Sequence, residues 1–305
     1  MLFYFKLQFT ILNRKLTDFG VPPIVGYTLI TVIFIMASNH LFASQTNAPY
    51  IYTAIALAIT FANNDKGKND FIKNCYTTKT YYFIKALQNI LICLPFAAIL
   101  LYNQTYFLAI LLIPINCLIA FIPINVTSTK VIPTPFGKTP FEFTVGFRKK
   151  FLPIMLTYLI AYIAIYVDNY NLGIFALIAN FLIAILFYNK VENEYFVWSH
   201  SVLPKDFLIL KIKIALTNSS LLSLPILFFM SIFFSNQISF LLLCVFVCHL
   251  YLVASVLLKY SNFPNTIDFP KTLLFGITVV FPPLLIGVIP FYYKSATKKL
   301  SNYLK

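Results

Sequence analysis

The sequence predicts an all-α integral membrane protein, a polytopic bundle of eight or nine transmembrane helices with an N-terminal interfacial helix. Three observations predict it. Of the 305 residues, 60% are hydrophobic and 10% charged, and mean hydropathy is +0.82; a soluble domain carries about 45–50% apolar and about 25% charged residues. The apolar residues fall into runs near the roughly 20 that a helix needs to cross a bilayer. The Lys and Arg residues gather in alternate connections between those runs. Together these exclude a soluble enzyme, a secreted disulfide scaffold and a disordered tail.

Residues 1–20 come first. LFYFKLQFTILNRKLTDF (2–19) mixes aromatic and aliphatic residues with Lys6, Arg14 and Lys15. It is too charged for a cleavable signal and suits an amphipathic helix lying in the interface. The first four-helix half, 21–125, holds spans at Ile24–Ala43, Pro49–Ala62, Tyr81–Tyr102 and Tyr106–Asn125. A cytoplasmic connector covers 126–150. The second half, 151–258, holds Phe151–Asp168, Asn171–Tyr188, Leu208–Phe234 and Ile238–Leu258. In the remainder, 259–305, the stretch Leu273–Tyr293 contains Pro282, Pro283 and Pro290. It is either a broken hairpin or a ninth span, followed by a basic tail.

Orientation follows from the cations. Lys66, Lys68, Lys73 and Lys79 follow the second span; Lys130, Lys138, Arg148, Lys149 and Lys150 follow the fourth; Lys190 and Lys205 follow the sixth. The intervening turns 44–49, 103–105, 169–170 and 235–237 carry no Lys or Arg. The N-terminus and the long loops are therefore expected in the cytoplasm. The net charge of +14 reads as this asymmetry and not as a nucleic-acid surface, since only Arg14 and Arg148 are arginine and base readout favours arginine forks.

The two halves share a plan: two spans, a basic loop, two more spans. TKTYYFIKALQNILICLPF (78–96) and PKDFLILKIKIALTNSSLLSLPI (204–226) align Lys79 with Lys205, Tyr81 with Phe207 and Lys85 with Lys211. Both halves begin on the same side, so such a repeat is parallel. Polar residues inside the spans are candidates for lining a path: Lys85, Gln88 and Asn89 in one half, Lys211, Thr217, Asn218 and Ser220 in the other. Lys85, Lys211 and Lys213 also suit snorkelling to the headgroups, and the polar run 217–223 also suits gluing helices together.

Other motifs carry less. Gly137-Lys138-Thr139 echoes a phosphate-binding loop, but Ile132 stands where an earlier Gly is needed and Pro140 blocks the helix start; nucleotide binding by this chain is not expected. The five cysteines (Cys75, Cys93, Cys117, Cys244 and Cys248) imply no disulfide framework, and Cys244 and Cys248 read as small apolar filler. His40, His200 and His249 are scattered and are read as structural. No metal site or cofactor is expected.

Acidic residues follow the second span (Asp65, Asp70) and the sixth (Glu192, Glu194). That placement, with the span count, resembles UbiA-like intramembrane prenyltransferases, whose acidic loop motifs hold Mg-diphosphate. Asn64 and Asp65 match the start of the first motif, Lys68 replaces its next acid, and Glu192 and Glu194 are spaced two apart. A stronger resemblance lies in ENEYFVWSHSVLPKDFLILKIKIALTNSSLLSLP (192–225). It is similar to the permease subunits of ABC exporters of the second class, where an acidic cytoplasmic segment leads through a Leu-Pro element into a polar-tinged span. Glu194, Pro204, Phe207, Leu208 and Lys211 carry the match. NDFIKNCYTTKTYYFIKALQNILICLPF (69–96) looks like a weaker second copy, and the N-terminal helix resembles that family's elbow helix. Such subunits usually have six spans, fewer than here.

The resemblance implies a partner and a mechanism. A separate ATP-binding subunit would dock on two coupling elements, Phe71, Lys73, Tyr76 and Lys79 in the first and Glu194, Trp198, Pro204, Lys205 and Phe207 in the second. It would drive export of a lipid, polymer or small apolar compound, from a homo- or heterodimer in the bacterial inner membrane, with no chemistry in this chain. The alternatives are the prenyltransferase and a non-catalytic assembly protein of the membrane.

Overall fold

The computed structural model describes residues 2–64, 66–120, 132–136, 141–265 and 268–304. Every regular element among them is helical. The chain divides into two compact units, Met1–Thr17 with Val21–Thr129, and Asp18–Gly20 with Lys130–Lys305.

The first unit contains α1 (Leu2–Asp18, all but its last residue), α2 (Pro23–Ser44), α3 (Ala48–Ala62), α4 (Lys66–Cys75), α5 (Thr78–Tyr102) and α6 (Tyr106–Ile119). Prolines pre-set the first turns of α2 and α3. The turn between α5 and α6 is closed by Gln104 in the left-handed region (φ 59°). Tyr52, Phe96, Leu100 and Leu112 form one core; Tyr4 of α1 packs with Ile72, Tyr81 and Ile84 to form another. Asn13 of α1 accepts a hydrogen bond from the Tyr27 hydroxyl (2.7 Å), so α1 lies against the start of α2.

The second unit contains α7 (Phe141–Lys149), α8 (Phe151–Tyr166), α9 (Tyr170–Leu186), α10 (Glu194–Trp198), α11 (Pro204–Phe233), α12 (Ile238–Ser261), α13 (Phe269–Val280) and α14 (Leu285–Leu300). The Asn169 side chain caps α9 by accepting from the Leu172 amide (3.1 Å), and Pro204 opens α11. An aromatic core of Phe143, Phe147, Phe187, Phe207, Tyr260 and Tyr292 fills one end of the unit. Phe181, Ile226, Met230 and Leu241 fill a second core.

Each unit by itself runs through the same order: an amphipathic helix, two apolar helices, a short helix, a long Pro-containing helix and a further apolar helix, to which the second unit adds α13 and α14. The amphipathic helix that opens the second unit, α7, lies inside the segment that hydropathy alone assigns to a plain connector, because nine residues containing Glu142, Arg148 and Lys149 carry no spanning signal.

The helices follow the apolar runs of the sequence, but among the described residues only α2, α5, α11 and α12 are long and apolar enough to cross a membrane. A fifth is added if α7 and α8, bent by 74°, are taken as one broken span. Asn63 closes α3, Asn169 caps the start of α9 and α6 ends at Ile119. So α3, α6 and α9 have 15, 14 and 17 residues, about 21–26 Å at 1.5 Å per residue. The C-terminal stretch is a hairpin, not one continuous helix. The chain turns at Pro282–Leu284, and Tyr292 of α14 returns to donate a hydrogen bond to the Lys271 carbonyl at the start of α13 (2.7 Å). Lys271 Nζ also donates to Ser261 O (2.7 Å) and Ser295 Oγ (3.2 Å), which pins the returning helix to the end of α12. The basic tail thereby comes back to the end of the unit that holds Lys259.

Large apolar side chains are exposed along the outer helix faces, for example Ile24, Phe107, Leu152, Phe175 and Ile286. Beside the apolar cores, helices also meet through small and polar groups. Ser38 Oγ lies 2.9 Å from Tyr52 Oη, Asn180 donates to Thr157 Oγ1 (3.0 Å), and Tyr158 donates to Leu222 O (2.7 Å). At Gly146 of α7 an added Cβ would lie 2.4 Å from the Phe187 ring. That ring is packed between Phe143 and the rest of the core and cannot swing aside. Gly146→Ala is therefore expected to destabilise by about 1–3 kcal/mol through overpacking. Gly173→Ala meets only the flexible end of Met230 and is expected to be near neutral. Thermal unfolding of the two variants in detergent measures the difference.

Candidate functional site

Four charged side chains from four elements of the second unit meet beneath its aromatic core. Pro204 fixes the start of α11, which places Lys211 about two turns in, on the same buried face as Phe207, Leu208 and Ala215. Lys259 is in the last turn of α12 and Glu142 in the first turn of α7. Both positions match the sign of the helix dipole. Glu192 comes from the loop between α9 and α10.

Lys211 Nζ lies 2.8 Å from Glu142 Oε1 and 2.8 Å from Glu192 Oε1. Lys259 Nζ lies 3.2 Å from Glu192 Oε1 and 3.6 Å from Glu142 Oε1. Tyr260 donates its hydroxyl to Glu192 Oε2 (3.0 Å). The lysine side chains are 4% and 1% exposed, the carboxylates 10% and 13%. Aromatic faces complete the surroundings: Lys211 sits over Phe196 and Phe207, Lys259 over Tyr188 and Tyr260.

The two carboxyls are driven apart. Burial pushes Glu142 up, and its hydrogen bond with Glu192 adds to this against the pull of Lys211. Burial alone would also raise Glu192, but the hydrogen bond from Glu142 and the ammoniums of Lys259 and Lys211 outweigh it and bring it down to about 2. The surroundings thus favour a proton on Glu142 more than on Glu192. Both line a cleft of about 600 Å³ bounded by Phe141, Val145, Leu186 and Phe187.

This geometry revises several expectations. Lys211 does not snorkel; it is buried and held by two carboxylates, because two anions within hydrogen-bond reach stabilise the ammonium better than a strained reach to the surface. Nor does Lys211 line an open path. Lys85 is likewise buried, on the same face of α5 as Gln88 and Asn89, and Asn89 donates to the Asn116 carbonyl of α6 (2.9 Å). Lys213 is exposed. The polar run of α11 does not converge on a passage: Thr217 bonds its own backbone at Lys213 and Ile214, Asn218 is half-buried, and Ser220 contacts His249 Nε2 (3.0 Å).

Among the coupling-element residues, Phe71, Lys73, Lys79, Glu194, Trp198 and Lys205 are exposed, and Tyr76 and Pro204 half-buried. Phe207 is not available to a partner; it is buried between His200 and Tyr260, with ring centroids at 5.1 and 5.3 Å. Its place on the Lys211 face of α11 puts it inward. For the prenyltransferase alternative, Glu192 is taken up by two ammoniums and a tyrosine, and Glu194 instead borders a separate cleft with Tyr195 and Trp198. A divalent cation at Glu192 would sit against both lysines, so the residues do not fit one. Among the described residues, no three His, Cys, Asp or Glu side chains gather to hold a metal. Asp65 and Gly137-Lys138-Thr139 lie outside the described residues.

Sequence reasoning missed Glu142, Lys259 and Tyr260. One sign was available for Glu142: it is one of nine acids in a chain of net charge +14, directly ahead of an apolar run.

Lys211→Met removes one member and leaves two carboxylates to one ammonium. It is expected to cost about 3–5 kcal/mol, and adding Glu142→Gln restores part of this; thermal unfolding of the single and double variants checks both. The pH response follows from the opposed carboxyls. Glu192, lowered, stabilises fully above its ordinary 4.5, and this is lost as pH falls through about 2. Glu142, raised, stabilises below 4.5, and this is lost as pH rises through its folded value. Stability should therefore decline as pH rises from 4.5 through that value, and Glu142→Gln should flatten the decline, read as unfolding midpoint against pH.

No family model matches the sequence, and no curated protein or solved structure is significantly similar to it.

Proposed function

We propose that the chain is the membrane-spanning permease subunit of an ATP-driven exporter of the second ABC class, worked by a separate ATP-binding subunit. The observation that carries this reading is α10. It is a five-residue helix with exposed Tyr195 and Trp198, followed by exposed Leu203 and Lys205. It begins two residues after Glu192 and is followed by α11, which carries Lys211 seven residues after its first residue, Pro204. A short exposed handle anchored to three helices through buried ion pairs is what a motor protein needs in order to move spans by pushing on a loop.

The first unit offers a parallel element. Between α3 and α5 lies α4, with Phe71 and Lys73 exposed and Lys79 exposed at the start of α5. Two such handles in one chain would let one chain engage two ATPase subunits. In this reading α2, α3, α5, α6, α8, α9, α11 and α12 give eight crossings, the shorter ones in a locally thinned bilayer. The basic loops and the N-terminus face the cytoplasm of a bacterial inner membrane, α1 lies in the interface, and the α13–α14 hairpin re-enters without crossing. The cargo is a lipid, a polymer or a small apolar compound.

Co-purification tests this with the ATPase encoded beside the gene. Lys79→Glu with Lys205→Glu is expected to abolish co-purification while membrane insertion and expression stay unchanged. Both residues are exposed, so the fold should not suffer. Undiminished co-purification would remove the reading.

A further inference from the structure

The cleft beside the ion cluster has a charge and a shape that the permease reading does not use. Lys149 and Lys150 at the end of α7, and Lys190 after α9, are exposed on its rim. None of the three forms an ion pair with a described residue. With Lys259, four ammoniums line the cleft against the two carboxylates Glu142 and Glu192, and Lys211 stands as a fifth ammonium behind both carboxylates. The excess is three positive charges, and protonation of Glu142 increases it. A cleft of about 600 Å³ accommodates a phosphate-bearing headgroup but leaves no room for a macromolecule.

Its wall continues as a lipid-like surface. Leu186 borders the cleft, and an exposed apolar stripe runs back from it along one face of α9 through Leu182, Ile178 and Phe175. The spacing of four, four and three residues keeps these side chains in one line. From Phe175 to Leu186 the helix rises about 16 Å, the length of an extended acyl chain across one leaflet. A soluble anion would make no use of that stripe, whereas an amphiphile would use both parts.

We propose that this cleft holds the headgroup of an anionic phospholipid, with Lys149, Lys150 and Lys190 around the phosphate and one acyl chain along Phe175–Leu186. Basic pockets at the ends of membrane helices bind such headgroups. The site rests on the membrane location alone and is independent of any ATPase.

The test is native mass spectrometry of the full chain in detergent, offered phosphatidylglycerol or phosphatidylcholine with the same acyl chains. The wild type is expected to retain phosphatidylglycerol selectively. Each lysine near a headgroup contributes about fivefold in affinity, so Lys149→Gln or Lys190→Gln alone should weaken retention about fivefold, and K149Q/K150Q/K190Q should erase the preference. K294Q/K298Q/K299Q, which removes the same charge from α14, should keep it. Glycerol phosphate at the same concentration should not displace the lipid. Equal retention of the two lipids, unchanged selectivity in the cleft variants, equal loss in the α14 variant, or displacement by glycerol phosphate would each overturn the proposal. The single variants alter one exposed side chain each and keep the reading available should the triple variant not fold.

Discussion

The buried meeting of Lys211 and Lys259 with Glu142 and Glu192 is the constraint around which the second unit is arranged. Neither lysine has another way to keep its charge, being 4% and 1% exposed, and an isolated ammonium in that position would cost far more than any packing there returns. The two carboxylates must therefore arrive together, one from α7 and one from the α9–α10 loop. Their arrival fixes where α7 lies, where the loop turns, and how α11 and α12 are rotated. The aromatic residues around the cluster, Phe196, Phe207, Tyr188 and Tyr260, exclude water and supply ring faces to both ammoniums. A buried pair of this kind gives little net stability compared with an apolar replacement. Its effect is on specificity of arrangement: four elements share one joint.

That joint gives the mechanical reading its physical content. In the proposed permease, a displacement of α10, which is separated from Glu192 by one residue and is seated in the core by Val197, would reach α7, α11 and α12 through the ion cluster they share. The carboxyls also differ in proton affinity, Glu142 raised and Glu192 lowered. Around it, the outer faces follow the rules of a protein dissolved in lipid. Large apolar side chains point outward, and helices touch through Ser38, Thr157, Asn180 and Asn116 or through a bare backbone at Gly146.

Much of the helical plan was legible in the sequence because hydropathy and helix length report the same physics. The starts at Pro23, Pro204 and Ile238 coincide with the apolar runs to within a few residues. The number of crossings was less legible: α3, α6 and α9 follow apolar runs but have only 15, 14 and 17 residues, near or below the length a crossing needs. The C-terminal stretch was undecided between two forms for a related reason. Pro282 and Pro283 announce a break, but the direction taken after it depends on Tyr292 finding the Lys271 carbonyl and Lys271 finding the end of α12. Of the candidate site, Lys211 was visible as a cation inside an apolar helix. Its partners were not, since Glu142 and Lys259 are 69 and 48 residues away along the chain and each has an innocent explanation in a basic loop or a helix end.

By itself the sequence determined the all-helical, apolar character of this protein, the positions of most of its helices and the clustering of its cations between apolar runs, because these depend on composition and local periodicity. Only the tertiary structure decided which charges are buried together, that Phe207 faces inward and α10 outward, and that the last apolar stretch doubles back. Those outcomes depend on which helix faces meet, and in a chain whose faces are apolar nearly all round, local patterning leaves that choice to a few polar side chains far apart in sequence.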